Sequence, residues 1–125
     1  MVGSHSHALE EIARRHRLAD IYVFGSRANE IANMVRGDAP GVKQHDAADV
    51  DIGVRPLPGA RLHARQRVRI TLELEDLFDA GRVDLVVLPE AGPFLARDII
   101  AGELLYCADR HDQCEYELYV LRRAG

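Results

Sequence analysis

Three aspartates stand inside short apolar runs, where an unpaired charge is costly. Asp49 and Asp51 flank Val50 in Asp49-Val50-Asp51-Ile52-Gly53-Val54, and Asp84 lies in Val83-Asp84-Leu85-Val86-Val87-Leu88. In an extended strand, residues two apart share a face. Asp49 and Asp51 then point one way while Val50, Ile52 and Val54 face a core. If the strand carrying Asp84 is a neighbour, three carboxylates meet, repel one another and raise each other's pKa values. A divalent cation relieves that repulsion. Oxygen-only ligands with open positions suit Mg²⁺, which keeps waters and takes substrate phosphates as its remaining ligands. The plainer alternative is that Asp49 and Asp51 begin a strand at its wet end and Asp84 merely follows a Gly-Arg turn.

A second group precedes these acids. Phe24-Gly25-Ser26-Arg27 reads as strand, glycine, hydroxyl, helix start. Glycine lets backbone approach an anion closely, and the N–H groups at a helix N-terminus favour phosphate. Ser26 adds a hydroxyl donor. A Gly-Ser turn alone is common. A Gly-Ser anion cradle, then a strand with alternating aspartates, then a third strand aspartate, is a specific ordered set.

These residues need elements to hold them. Residues 8–18 read as a helix with Leu9, Ile12, Ala13 and Leu18 on one side, acids first and bases last. Ile21-Tyr22-Val23-Phe24 is a buried strand stopped by Gly25. Residues 27–36 are helix-permissive, with Gly37 as C-cap, and a loop follows to about residue 47. Residues 50–54 form a second strand ended by Pro56, Pro58 and Gly59. Residues 61–80 are ambiguous: Val68, Ile70, Leu72 and Leu74 alternate, yet Ile70, Leu74, Leu77 and Phe78 fit a helical stripe. Length and Gly81 favour helix. Residues 83–88 form a third strand, 93–102 a short helix opened by Pro93, and 104–107 a fourth strand. Asp109 caps a last helix running to Arg123. The expected class is α/β (α+β): one small mixed sheet flanked by helices, with a flexible tail over residues 1–7 and a single domain over residues 8–125.

Bulk properties narrow the function. The 125 residues have a net charge of −4 with 16 basic and 20 acidic side chains, so a general nucleic-acid binder is not expected. The basic set is almost all arginine. No apolar run reaches the roughly 18 residues of a membrane span, and no signal-peptide core follows Met1, so the chain reads as cytoplasmic. Cys107 and Cys114 form no CxxC pair and read as two reduced thiols.

Val23-Phe24-Gly25-Ser26-Arg27-Ala28, the run from Asp49 to Val54 and the run from Val83 to Leu88 together resemble the minimal nucleotidyltransferases of the DNA polymerase β-like superfamily, including MntA-type antitoxins paired with HEPN toxins. The resemblance extends less specifically to residues 94–106 and their Leu104-Leu105-Tyr106. It implies a polymerase β-like fold, Gly25, Ser26 and Arg27 on the triphosphate of ATP, and Asp49, Asp51 and Asp84 as catalytic residues and ligands of two Mg²⁺ ions. The activity it implies is transfer of AMP to a tyrosine of a HEPN-type RNase toxin. A small molecule or an RNA end is an acceptor of the same kind, and a non-catalytic antitoxin that masks its partner is the alternative from a different class. Between Ser26 and Asp49 lie 22 residues, against about ten in the MntA-type pattern, with Ala48 where Ser or Thr is common.

Other residues carry weaker signals. Arg55, Arg61, Arg65, Arg67 and Arg69 crowd fifteen positions with His63, either as an electropositive patch or as a solvated helix face. His45 is a loop histidine close in sequence to Asp49. Tyr116 and Tyr119 read as packing residues beside Leu118 and Leu121.

Overall fold

The computed structural model describes residues 4–37 and 49–125. His45, Ala48, Met1 to Gly3 and nearly all of the expected loop therefore lie outside the described residues. Within them the order is α1 (Ser4–Arg15), β1 (Leu18–Phe24), α2 (Ala28–Arg36), β2 (Val50–Pro56), α3 (Ala64–Phe78), β3 (Val83–Val87), α4 (Pro93–Ile100), β4 (Glu103–Cys107) and α5 (Arg110–Ala124), with a single 3₁₀ turn at Leu88–Glu90. Among the described residues the strands form one sheet in the order β3-β2-β1-β4. β1 runs antiparallel to β2 and β4, and β2 parallel to β3, giving the expected mixed sheet.

The boundaries differ from the sequence expectation in instructive ways. Helix α1 begins at Ser4, inside the expected flexible tail, and ends at Arg15, so Leu18 opens a strand instead of closing a helix. Arg17 turns the chain with φ 56°, and its carbonyl accepts from the Leu57 N–H, which zips the start of β1 to the end of β2. The ambiguous segment is helical: Ile70, Leu74 and Phe78 are fully buried while Val68 and Leu72 are exposed. Its stop is Asp79 in the left-handed region (φ 52°), not Gly81. Aspartate is among the few residues that visit this region readily. Gly37 (φ 80°) ends α2 and the Asp109 carboxylate caps α5 by accepting from the Asp112 N–H, both as expected.

Strand alternation sorts the side chains to two faces. On one face Ile21 and Val23 of β1, Val50, Ile52 and Val54 of β2, and Val83 and Val87 of β3 pack with Leu9, Ile12, Ile31, Val35, Ile70 and Leu74 from α1, α2 and α3. On the other, Tyr22 packs with Ile99 of α4 and Val120 of α5, and Phe24 and Val86 lean on this cluster. Gly53 has no side chain because Ile99 needs the room: a Cβ there would stand 2.5 Å from Ile99 Cγ2. Period-two alternation places Asp51 and Asp84 on this second face, together with Gly53, Arg55 and Val86. None of the helices described is long and apolar enough to cross a membrane.

Candidate active site

β1 ends at Phe24, and Gly25 turns the chain with φ +80°. Its carbonyl accepts from the Ala28 N–H at 3.2 Å, which sets the first turn of α2. Ser26 is exposed. The N-cap side chain makes no capping hydrogen bond to α2, and backbone N–H groups at a helix start of this kind favour an anion. Arg27 occupies the N-cap position, but its side chain is buried and its Nε donates to Glu30 at 3.1 Å. A cleft of about 310 Å³ opens beside the turn, lined by Phe24, Gly25, Ser26, Asn29, Asp98 and Glu103 among others.

The acids stand at the same end of the sheet. Phe24 pairs with Asp51 across the antiparallel ladder, and Asp51 pairs with Asp84 across the parallel one. Adjacent strands are about 4.8 Å apart, so the register alone makes Asp51 and Asp84 neighbours. Asp49 immediately precedes β2, where the Val50 N–H donates to the Arg82 carbonyl at 3.1 Å. The Asp51 carboxylate fills the space that a side chain on Gly25 would need, so the glycine turn and the acidic strand are fitted to each other.

Electrostatics distinguishes the three acids. Partial burial raises the Asp51 pKa above the ordinary carboxylate value, and the nearby charges of Asp84 and Asp49 add to the rise. Among the described residues no ion pair reaches Asp51. Asp49 and Asp84, by contrast, share a cation: Arg82 Nε lies 3.2 Å from Asp84 Oδ1 and 3.6 Å from Asp49 Oδ2. Arg82 immediately precedes β3, two residues before Asp84, a position that local pattern does not mark as part of a site.

As they stand, no three His, Cys, Asp or Glu side chains among the described residues converge closely enough to hold a metal ion. The chemistry of the donor set nonetheless fits a hard divalent cation. It comprises only carboxylate oxygens, partly exposed, with mutual repulsion still felt at Asp51.

A second charged constellation, absent from the sequence reading, lies farther along the same face. Asp20 is fully buried and pairs across the ladder with Arg55, whose Nε donates to Asp20 Oδ2 at 2.6 Å. The same guanidinium donates to Asp112 of α5 at 2.8 Å and lies 4.5 Å from the Tyr116 ring centroid. Arg55 is thus a buried structural cation and no part of a surface patch. Beside it Tyr22 donates to Glu117 at 2.7 Å and accepts from Gln113 at 2.6 Å. Apolar runs conceal such partners, because pairing across strands is not written in local pattern.

The model of the family "Polymerase beta, Nucleotidyltransferase" matches residues 7–111 of the chain. Solved structures share the fold. A toxin–antitoxin structure with AMP-PNP is 22% identical with a TM-score of 0.68, covering 94% of this chain and 84% of that one. A tri-AMPylated Shewanella oneidensis HEPN toxin in complex with MNT antitoxin is 20% identical with a TM-score of 0.65, covering 98% and 85%. A toxin–antitoxin MntA–HepT structure is 19% identical with a TM-score of 0.64, covering 94% and 82%. No curated protein sequence is significantly similar to this chain.

Proposed function

This chain belongs to the polymerase beta nucleotidyltransferase family, and we propose that it transfers AMP from ATP to a hydroxyl of a HEPN-type toxin, acting as that toxin's antitoxin in the cytoplasm. One observation carries the reading: Asp51 lies in register with Asp84 on one side and with the end of β1 at Phe24 on the other. That register supports a shared site for the glycine turn, the start of α2 and the acids. The antitoxin assignment is supported by the folds it shares, which include an MNT antitoxin in complex with an AMPylated HEPN toxin.

In this reading Gly25 and Ser26 bind the β- and γ-phosphates through backbone N–H groups and the Ser26 hydroxyl, with the α2 dipole favouring their charge. Arg27 serves through its backbone and holds the first turn of α2 by its bond to Glu30. Asp49, Asp51 and Asp84 are the residues that would hold two Mg²⁺ ions. When bound, such ions neutralise phosphate charge and favour the ionised form of the acceptor oxygen. The acceptor oxygen attacks the α-phosphorus, the α–β phosphoanhydride bond breaks, and pyrophosphate leaves. Asp84 orients the acceptor hydroxyl and takes up its proton.

The test is ATP-dependent labelling of a co-purified partner. A mass gain of one AMP on the partner, lost in Asp51→Asn, is the expected result. Inhibition of the partner without that gain would mean that the chain acts by masking.

A further inference from the structure

We propose that Arg82 is a tethered counter-cation that occupies the acidic patch until a divalent ion displaces it, and that this exchange couples metal binding to nucleotide binding. The inference rests on the metal-binding reading of Asp49, Asp51 and Asp84 given above.

Three observations lead to it. First, the guanidinium touches two of the three acids, Asp84 at 3.2 Å and Asp49 at 3.6 Å, so it holds the electrostatic position a metal would need. Second, its root is fixed while its tip is exposed to solvent. The Arg82 carbonyl accepts from the Val50 N–H at 3.1 Å, pinning the backbone between the two strands, yet the side chain is 70% exposed. Exposed pairs of this kind contribute little each, so the contact can be surrendered to a stronger ligand. Third, Asp51 stands in register with Asp84, yet among the described residues the guanidinium pairs only with Asp84 and Asp49 and leaves Asp51 without a cation. One monovalent group therefore leaves the patch under-neutralised, and a divalent ion competes well against it.

Exchange has a consequence. Once a metal takes Asp49 and Asp84, the guanidinium is still tethered two residues from Asp84 and lacks an anion. The phosphates of a nucleotide at the Gly25-Ser26 turn supply one. Each ligand then makes room for, or recruits, the other through Arg82, and such coupling is reciprocal for binding free energies.

Calorimetric titration of the full chain with Mn²⁺, with and without AMP-PNP, tests this. Arg82→Gln should bind Mn²⁺ about two- to fivefold more tightly than wild type without nucleotide, the range set by exposed ion pairs. The enhancement of Mn²⁺ affinity by AMP-PNP should shrink by a similar factor. Arg122→Gln, near the end of α5, makes the same change in net charge and should leave both values as in wild type. A merely structural role for Arg82 would lower the melting temperature of the variant without tightening Mn²⁺. Equal Mn²⁺ affinities for wild type and Arg82→Gln, or equal tightening in Arg122→Gln, overturn the proposal while leaving the metal site standing. Absence of Mn²⁺ binding in every variant, even with AMP-PNP, overturns the metal reading and this proposal with it.

Discussion

The carboxylate of Asp51 and the missing side chain of Gly25 occupy one volume: a Cβ on residue 25 would overlap Asp51 Oδ2. Gly25 is thus required twice over, once for its left-handed backbone at φ +80° and once for the space the acid fills. Gly25→Ala should lower stability by about 1–2 kcal/mol from the backbone alone. It should also abolish AMP transfer, because the carboxylate must move. Urea denaturation and the AMP-transfer assay on the folded variant check the two effects separately. A fully active variant would show that the fit between the turn and the acid is dispensable.

Asp51 is expected to trade stability for chemistry. Its pKa is raised in the folded chain, so the folded state holds the proton more tightly than the unfolded one. Stability from this group is complete below the unfolded pKa and is lost as pH rises through the folded value. Without metal, wild type should therefore be less stable at neutral pH than just below the normal carboxylate range would suggest for this residue alone. Asp51→Asn should remove that slope and raise the metal-free melting temperature by roughly 1–4 °C, while eliminating transfer. Thermal melts at stepped pH, with chelator, compare the two chains. A lower melting temperature in the variant would contradict the electrostatic reading.

Arg55 should be among the most costly residues to remove. It is the ion partner, through Oδ2, of fully buried Asp20, whose carboxyl is pushed up by burial despite the guanidinium beside it, and whose Oδ1 has no hydrogen-bond partner among the described residues. Arg55→Met strands that carboxylate and also releases Asp112 and Tyr116 of α5. Breaking a buried pair on one side typically costs about 3–5 kcal/mol. Chemical denaturation measures it, and a loss under 1 kcal/mol would mean that the pair is replaced by water. The same variant should retain the acids at the other end of the sheet, so Mn²⁺ binding by whatever fraction folds is expected to match wild type.

Gly53→Ala probes the contact between β2 and α4. The added methyl meets Ile99 Cγ2 in a fully buried position, and overpacking of this sort costs about 1–3 kcal/mol. Pairing the change with Ile99→Val should recover part of that loss. A double-mutant cycle by urea denaturation gives the coupling, and strict additivity would show that α4 simply shifts.

Much of the site was legible locally. Alternation in Asp49-Val50-Asp51-Ile52 assigns two faces whatever lies beside the strand, because successive side chains point to opposite sides. The Phe24-Gly25-Ser26 turn announces itself because glycine ends the β-rich run and lets the backbone approach an anion closely. The helix over residues 64–78 was harder, since its apolar residues fit both periods. Burial settled it, by enclosing Ile70, Leu74 and Phe78 and leaving Val68 and Leu72 in solvent.

What the sequence by itself determined is the ordered set of chemical groups and the strands and helices that carry them, because these follow from periodicity and backbone preference over a few residues. Tertiary structure alone decided the pairings: Asp51 beside Asp84 by parallel register, Arg82 between Asp49 and Asp84, Arg55 against Asp20 and α5. Each joins residues far apart in the chain, or depends on which strand lies next to which. Charge and shape complementarity across a sheet leave no local trace in the order of amino acids. They arise only when strand order and register bring the side chains face to face.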